Sequence, residues 1–188
     1  EEVKIGFAVT GLVHPARIIT NAKAAAGDFL VLTKPIGTGI ISFAHQLGRA
    51  KPEWLEAIDL SMAALNKTAA EVMIESNVVC ATDVTGLGLM GHLVEMTAQS
   101  GVSVEIWPDV VPLFPGVRES VRRELVSGAI ERNREYAARF VTRDPGVPAD
   151  FETILYDPQT SGGMLMCVRP DGVEDVVLKL RGRGLSAA

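Results

Sequence analysis

The 188 residues suffice for one sizeable domain, and 47% hydrophobic against 22% charged residues is typical of a globular rather than a disordered chain. The net charge of −5 argues against a general nucleic-acid binder, because phosphate neutralisation needs a basic face. No apolar run reaches the roughly 18 residues of a membrane span, so we expect a soluble protein that acts without a membrane.

The first half of the chain predicts three strands and three helices. Residues 3–12 alternate partially and predict a strand, which we interpret as the last strand of a preceding domain, because one strand does not make a domain. Residues 27–35 predict a buried strand that Pro35 stops. Helices are predicted at 40–47, from 52 to about 65, and at 67–75 after an Asn66 cap, with a short strand at 78–81.

The second half predicts more helix. A helix at 87–100 is ended by Gly101, and an alternating run at 102–107 predicts a half-exposed strand. Charged helices are predicted at 116–126 and 131–139, a surface loop at 143–150, a buried strand at 164–168 and a helix at 173–180. The mixture predicts an α+β fold with a mixed, largely antiparallel sheet and helices packed on one face.

Three segments share a form in which an apolar strand adjoins polar residues and a glycine turn. They are T-K-P-I-G-T-G (33–39), T-D-V-T-G-L-G (82–88) and D-P-Q-T-S-G-G (157–163). Glycine turns that open helices present free N–H groups suited to phosphate. Because an aspartate beside phosphate needs a bridging cation, Asp83 is predicted as a Mg²⁺ ligand, with Thr85, Gly86 and Gly88 facing nucleotide phosphates.

A structural alternative stays open for each of these residues. Asp83 could cap the following helix while the glycines allow close packing, and Lys34 could be a strand-end lysine with a buried stem and a solvated head. His92 and Glu95 are three residues apart on one helix, but no second histidine completes a metal site.

The two cysteines, Cys80 and Cys167, each lie in an apolar run without metal-binding spacing. We interpret both as small core residues in a reducing compartment, with a cytoplasmic location. No nucleophilic constellation such as G-x-S-x-G is present in the sequence.

The chain also resembles a known family. L-V-L-T-K-P-I-G-T-G-I (30–40), A-T-D-V-T-G-L-G-L-M-G-H (81–92) and Y-D-P-Q-T-S-G-G (156–163), in this order, closely resemble the selenophosphate synthetases, or selenide, water dikinases. V-T-G-L-V-H-P (9–15) is similar to the segment that leads into that family's second half.

The resemblance implies a C-terminal α+β domain of the aminoimidazole ribonucleotide synthetase-like fold. The implied reaction converts ATP, selenide and water into selenophosphate, AMP and phosphate in a Mg²⁺-dependent homodimer. The family's Mg²⁺-binding aspartate in T-D-V-T-G matches Asp83. Asn133 and Asp157 are implied as substrate-binding residues, although G-A-I-E-R-N (128–133) departs from the G-G-T-x-x-N form of many members.

The family's catalytic cysteine and lysine belong to an N-terminal segment that this sequence does not match. The resemblance therefore implies that residues 1–24 are the last strand and connector of an ATP-binding domain, that 25–188 form the C-terminal domain, and that no catalytic residue lies in this chain. We expect the chain alone to be inactive and to bind Mg²⁺–ATP negligibly, since one carboxylate is a poor Mg²⁺ site. Two alternatives stay open: a sister enzyme, such as a thiamine-monophosphate kinase or a hydrogenase-maturation factor, or a non-catalytic scaffold.

Overall fold

A computed structural model describes residue 6 and residues 8–188 of the chain. The strand predicted at 3–12 falls partly on residues 1–5 and 7, which lie outside this part. Residues 8–12 do not form a strand. Farther along the chain, Thr20 forms a single parallel β-bridge with Cys80, in which the Ala81 N–H donates to the Thr20 carbonyl at 2.9 Å.

The sheet of the described residues has three strands, β1 (Phe29–Leu32), β2 (Cys80–Asp83) and β3 (Met164–Val168). β3 lies in the centre and pairs antiparallel with both neighbours, so the order is β1-β3-β2. Cys167 faces Leu30 on one side and Cys80 on the other. The antiparallel sheet and the α+β class are thereby confirmed.

Helices make up most of the remaining regular structure. Pro52 opens its helix at the first position, where its missing N–H has no intrahelical acceptor to lose, and Gly101 ends another in the left-handed conformation with φ 67°. The helices are α1 (Thr38–Gln46), α2 (Pro52–Ala63), α3 (Lys67–Glu75), α4 (Gly88–Ser100), α5 (Val117–Arg122), α6 (Gly128–Ala137), α7 (Ala149–Leu155) and α8 (Val173–Gly182).

Both faces of the sheet are covered by helices, not the one face that we expected. Successive residues of β3 point to opposite sides, so Leu165 and Cys167 enter a core with α1, α2, α4 and α7, whereas Met166 and Val168 pack against α3 and α8. The reason is visible in the strand itself: M-L-M-C-V is apolar throughout, which is typical of a strand buried on both faces.

The prediction of a strand at 102–107 is wrong. This segment has no regular secondary structure, and its residues line a cleft together with residues of α4 and α7. The loop predicted at 143–150 ends early, because Pro148 immediately precedes α7 and fits a helix start. The charged helix predicted at 116–126 is only six residues long.

No helix among the described residues is long and apolar enough to cross a membrane.

Candidate functional site

The three glycine-containing segments meet at one end of the sheet. β1 and β2 both run antiparallel to β3, so the carboxyl ends of β1 and β2 lie beside the amino end of β3. Residues 33–39 and 82–88 leave the first two strands at this end, and residues 157–163 enter the third. We call these 21 residues the three-segment junction.

The third segment caps the helix that follows the first. Gln159 Oε1 accepts hydrogen bonds from the Gly37 and Thr38 N–H groups at 2.9 and 3.2 Å, and Asp157 Oδ2 accepts one from the Gly39 N–H at 3.1 Å. These are the amides that the first turn of a helix leaves without intrahelical partners. D-P-Q thus supplies to α1, from about 120 residues away, the caps that its own Gly37 lacks.

Glycines let the segments approach one another backbone to backbone. A Cβ on Gly162 would lie 1.9 Å from the Val84 carbonyl oxygen, and one on Gly88 would lie 2.8 Å from the Tyr156 carbonyl carbon. Gly88 also has φ +69°, which side chains disfavour. This confirms the close-packing alternative for Gly88, whereas Gly86 has nothing within 4 Å of an added Cβ.

The Asp83 carboxylate is the exposed acid of the junction. It ends β2, opposite Met164, and it has no side-chain hydrogen bond or ion pair with any described residue. The helix-capping alternative is wrong, because α4 has Leu87 at its N-cap position and no side-chain cap. Asp83 is therefore free to bind a group that approaches from solvent.

The loop after Asp83 is held from three directions. The Thr85 N–H donates to His92 Nε2 at 3.0 Å, the Thr85 carbonyl accepts from the Gln159 N–H at 2.9 Å, and Val84 N–H donates to the Gly163 carbonyl. The Thr85 amide is thus already bonded within the protein and is not available to a ligand. The Thr85 hydroxyl oxygen lies 3.2 Å from His92 Nε2. Gly86 is exposed, with open space around its α-carbon.

Asn133 reaches this loop from α6. It is 8% exposed, and its Nδ2 donates at 2.9 Å to the carbonyls of both Gly86 and Tyr156. The buried amide therefore ties the second segment to the residue before the third. The structure places Asn133 beside the junction in a bracing position, and its substrate role stays a prediction.

Asp157 is fully buried at the centre of the junction. Burial raises the pKa of its carboxyl to about 7, while hydrogen bonds from Ile40, Gln159 and Gly39 pull the pKa the other way. Its Oδ2 is well satisfied, but Oδ1 has no partner of good geometry among the described residues. These contacts are helix-capping contacts, and the substrate-binding assignment of Asp157 stays a prediction.

Lys34 of the junction and Asn66, which contacts the junction from outside, both differ from expectation. Lys34 is 6% exposed, and its ammonium group is buried rather than solvated: Nζ donates to the carbonyls of Ser61, Ala64 and Ser161 at 2.7–2.9 Å. Two of these carbonyls belong to the end of α2, where a cation is favoured. Asn66 does not cap α3 with its side chain; its Nδ2 donates to the Gly162 carbonyl at 2.8 Å.

Asp83 fits one position of a Mg²⁺ site, because it is a hard, exposed oxygen donor without a hydrogen-bond or ion-pair partner among the described residues. The part of the chain that the structure describes contains no group of three or more His, Cys, Asp or Glu side chains that could hold a metal. Glu95 is on the helix of His92 but does not join it in such a group. A Mg²⁺ ion at Asp83 would need its other ligands from elsewhere.

A cleft of about 1110 Å³ lies elsewhere on the protein, and Asp83 is not part of its lining. It opens between α4, α7 and the irregular segment that includes Ile106 and Trp107, with Arg118 and Arg143 on its rim. Both arginines are paired with nearby acids, Asp150 at 3.6 Å and Glu152 at 3.3 Å. Asp83, Thr85 and Gly86 do not line this cleft, so its size does not bear on the predicted site.

Residues 25–188 match the family model described as AIR synthase related protein, C-terminal domain. The chain belongs to this family. It is 42% identical to the selenide, water dikinase of Pelobacter propionicus over 187 residues and 42% identical to that of Geobacter metallireducens over 186. These matches cover 100% and 99% of the chain but 54% of each relative, so this AIR synthase related chain spans about half the length of those relatives. The resemblance found in the motifs is confirmed.

Solved structures agree on the fold of this AIR synthase related chain. Thiamine-monophosphate kinase from Stenotrophomonas maltophilia aligns with a TM-score of 0.62 over 93% of the chain and 50% of the kinase, at 16% identity. Hydrogenase maturation protein HypE from E. coli aligns with a TM-score of 0.65 over 92% of the chain and 45% of HypE, at 18% identity. A further HypE structure, solved in complex with ATP, aligns at 0.61.

Sequence reasoning missed the roles of Gln159 and His92. Gln159 lies inside D-P-Q-T-S-G-G, and the signal for its role is that α1 begins after a glycine, which has no side chain to cap the helix. The signal for the buried contact of His92 is its position on the apolar face of α4.

Proposed function

We propose that this chain is the C-terminal half of an ATP-dependent selenophosphate synthetase, to which it contributes one Mg²⁺ ligand, Asp83. In the complete protein, a cytoplasmic homodimer, ATP, selenide and water would yield selenophosphate, AMP and phosphate. The 42% identity to selenide, water dikinases over the whole chain is the observation that carries the proposal. The likeness to thiamine-monophosphate kinase and HypE, at 16–18% identity, supports the fold alone.

The Asp83 carboxylate would hold Mg²⁺ together with phosphate oxygens and acids from the rest of the protein. The bound cation would supply charge neutralisation during phosphoryl transfer. The chain's own contribution is positional. Backbone hydrogen bonds on both sides of Asp83 fix the position of its carboxylate. A fixed position would favour one coordination geometry for the bound cation.

The phosphate-facing roles differ among the three residues predicted for them. Gly86 is exposed and unhindered, so its backbone can approach an anionic ligand. Thr85 can bind phosphate through its hydroxyl but not through its amide, because the amide already donates its hydrogen bond to His92. Gly88 lies against the Tyr156 backbone, where it would act by permitting the loop rather than by touching phosphate.

The test is Asp83→Asn in the complete gene product, assayed for selenide-dependent AMP formation. Activity should fall by roughly two orders of magnitude at limiting Mg²⁺ and recover in part at high Mg²⁺. Asp59→Asn is the matched control, since Asp59 is an exposed aspartate on α2 outside the junction. An Asp83 variant with unchanged activity and unchanged Mg²⁺ dependence would support the scaffold alternative instead.

A further inference from the structure

His92 is a buried histidine whose two hydrogen-bond contacts are both with Thr85, in the loop that follows Asp83. It lies in the second turn of α4 and is 8% exposed. Helical side chains lean toward the helix amino end, so the ring lies over the loop formed by residues 84–87. There its Nε2 is 3.0 Å from the Thr85 nitrogen and 3.2 Å from the Thr85 hydroxyl oxygen.

The direction of this hydrogen bond fixes the tautomer. An amide N–H can only donate, so His92 Nε2 must be unprotonated and the ring proton must be on Nδ1. Nδ1 is itself buried and has no partner among the described residues. Burial lowers the pKa of His92, which keeps the ring neutral, although Asp83 and Glu95 pull the pKa upward.

A buried N–H donor without an acceptor is destabilising, so its presence needs an explanation. A leucine would fill the same apolar face of α4 without an unpaired ring nitrogen. What leucine lacks is an acceptor for the Thr85 amide. That amide is two residues from Asp83, whose own side chain has no hydrogen bond or ion pair among the described residues to orient it.

We infer that His92 is a positioning residue: by accepting the Thr85 amide it sets the backbone that directs the Asp83 carboxylate outward for metal binding. The inference rests on the proposed function, which supplies the metal. The orienting contact is a feature of the metal-free chain and is measurable there.

The first test uses the metal-free 188-residue chain. NMR of the His92 ring nitrogens should show the Nδ1–H tautomer, and an Nε2–H tautomer would overturn the inference. In His92→Leu the Thr85 amide should exchange its hydrogen about tenfold faster, while the core amides of β3 are unchanged. His92→Gln, whose Oε1 can accept the same bond, should restore protection.

Thr97→Val is the matched control on the same helix. It removes hydroxyl bonds to the Leu93 and Val94 carbonyls, at 2.8 and 3.2 Å, without touching the loop. It should therefore leave Thr85 exchange unchanged. Equal acceleration in Thr97→Val and His92→Leu would reduce the role of His92 to helix stability and overturn the inference.

The second test separates this inference from the proposed function. In the complete gene product, His92→Leu should raise the Mg²⁺ concentration for half-maximal activity about tenfold and leave kcat at saturating Mg²⁺ within about twofold, because the ligand itself is retained. If Asp83→Asn raises the Mg²⁺ requirement and His92→Leu does not, His92 is not a positioning residue and the function stands. If neither variant changes it, the proposed function fails.

Discussion

Asp157 and Gly39, 118 residues apart, are joined by a hydrogen bond of 3.1 Å from the Gly39 amide to Asp157 Oδ2. A Cβ on Gly39 would lie 2.6 Å from the other carboxylate oxygen, so the glycine and the acid are fitted to each other. The pair places a buried carboxyl at the amino end of α1, and this has measurable consequences.

The first prediction concerns pH. Because the native pKa of Asp157 is raised to about 7 from 3.8, the folded state binds a proton more tightly than the unfolded state. Its contribution to stability is thus fully present below pH 3.8 and is lost as pH rises through about 7. Between pH 5 and pH 8 the free energy of unfolding should fall by about 3 kcal/mol through this group, at 1.36 kcal/mol per pKa unit.

Asp157→Asn is the variant that isolates this effect, because a neutral amide mimics the protonated acid. Urea unfolding of both chains at pH 5, 6, 7 and 8 gives the difference in free energy at each pH. The wild type should lose stability relative to the variant as pH rises. A difference that is the same at all four values would mean that the helix start and the Gln159 amide keep the carboxyl ionised throughout.

Lys34 provides a second prediction. Lys34→Met keeps the buried stem but leaves the carbonyls of Ser61, Ala64 and Ser161 without their donor. We expect a loss of about 2–3 kcal/mol in the free energy of unfolding, the magnitude of stranded buried acceptors. Lys67→Met is the matched control: its ion pair with Glu71 is exposed and 3.8 Å long, so its loss should be below about 0.5 kcal/mol.

Gly162 provides a third. The Gly162→Ala methyl group would have to displace the Val84 carbonyl, which belongs to the backbone directly after Asp83. We expect destabilisation of about 3 kcal/mol, at the upper end for overpacking. Gly182→Ala, at the end of α8 with nothing within 4 Å of the added carbon, should leave the melting temperature unchanged or slightly higher. Equal effects of the two substitutions would contradict the packing described for the junction.

The cysteines allow a fourth. Cys80 and Cys167 lie opposite each other on β2 and β3, both are buried, and burial raises the pKa of the Cys167 thiol. Neither should react with a thiol reagent at pH 8 until the protein unfolds, and both should then react together, because the thiolate is the reactive form. Rapid labelling of one cysteine in native buffer would show that the sheet opens locally.

Direct titration supplies a fifth. Calorimetry of the 188-residue chain with Mg²⁺–ATP should detect negligible binding, because one carboxylate and an exposed glycine do not complete a nucleotide site. The complete gene product should bind under the same conditions. Tight binding by the chain alone would mean that the junction holds Mg²⁺–ATP by itself and that the half-site proposal is wrong.

The sequence was sufficient to predict the bounds of elements whose first and last residues differ clearly from their neighbours. α3 and β3 have the predicted bounds, since a run of helix formers lies between polar ends in one and five apolar residues follow two glycines in the other. The prediction of a strand at 102–107 was wrong because alternation of apolar and polar residues does not distinguish a strand from an irregular segment in which Val102 and Ile106 are half-buried. The loop predicted at 143–150 was too long because proline occurs both in loops and at helix starts, and Pro148 immediately precedes α7.

The site was only partly readable for a related reason. The motifs indicate Asp83 and the glycines as candidates, which stay predictions, and give no sign that Lys34 is buried or that Gln159 caps a distant helix. Those roles depend on which segments the sheet brings together. Long-range partners of single polar side chains are set by tertiary packing, which local patterns do not encode.

The strand order β1-β3-β2 also determines when this protein can fold during synthesis. The central strand is the last of the three in the chain, and neither outer strand pairs with the other. On the ribosome, β1 and β2 must therefore wait with unpaired edges until residues 164–168 emerge. The sheet and the three-segment junction can therefore form only late in synthesis, and a nascent chain stalled before residue 164 would expose two unpaired strand edges that favour aggregation.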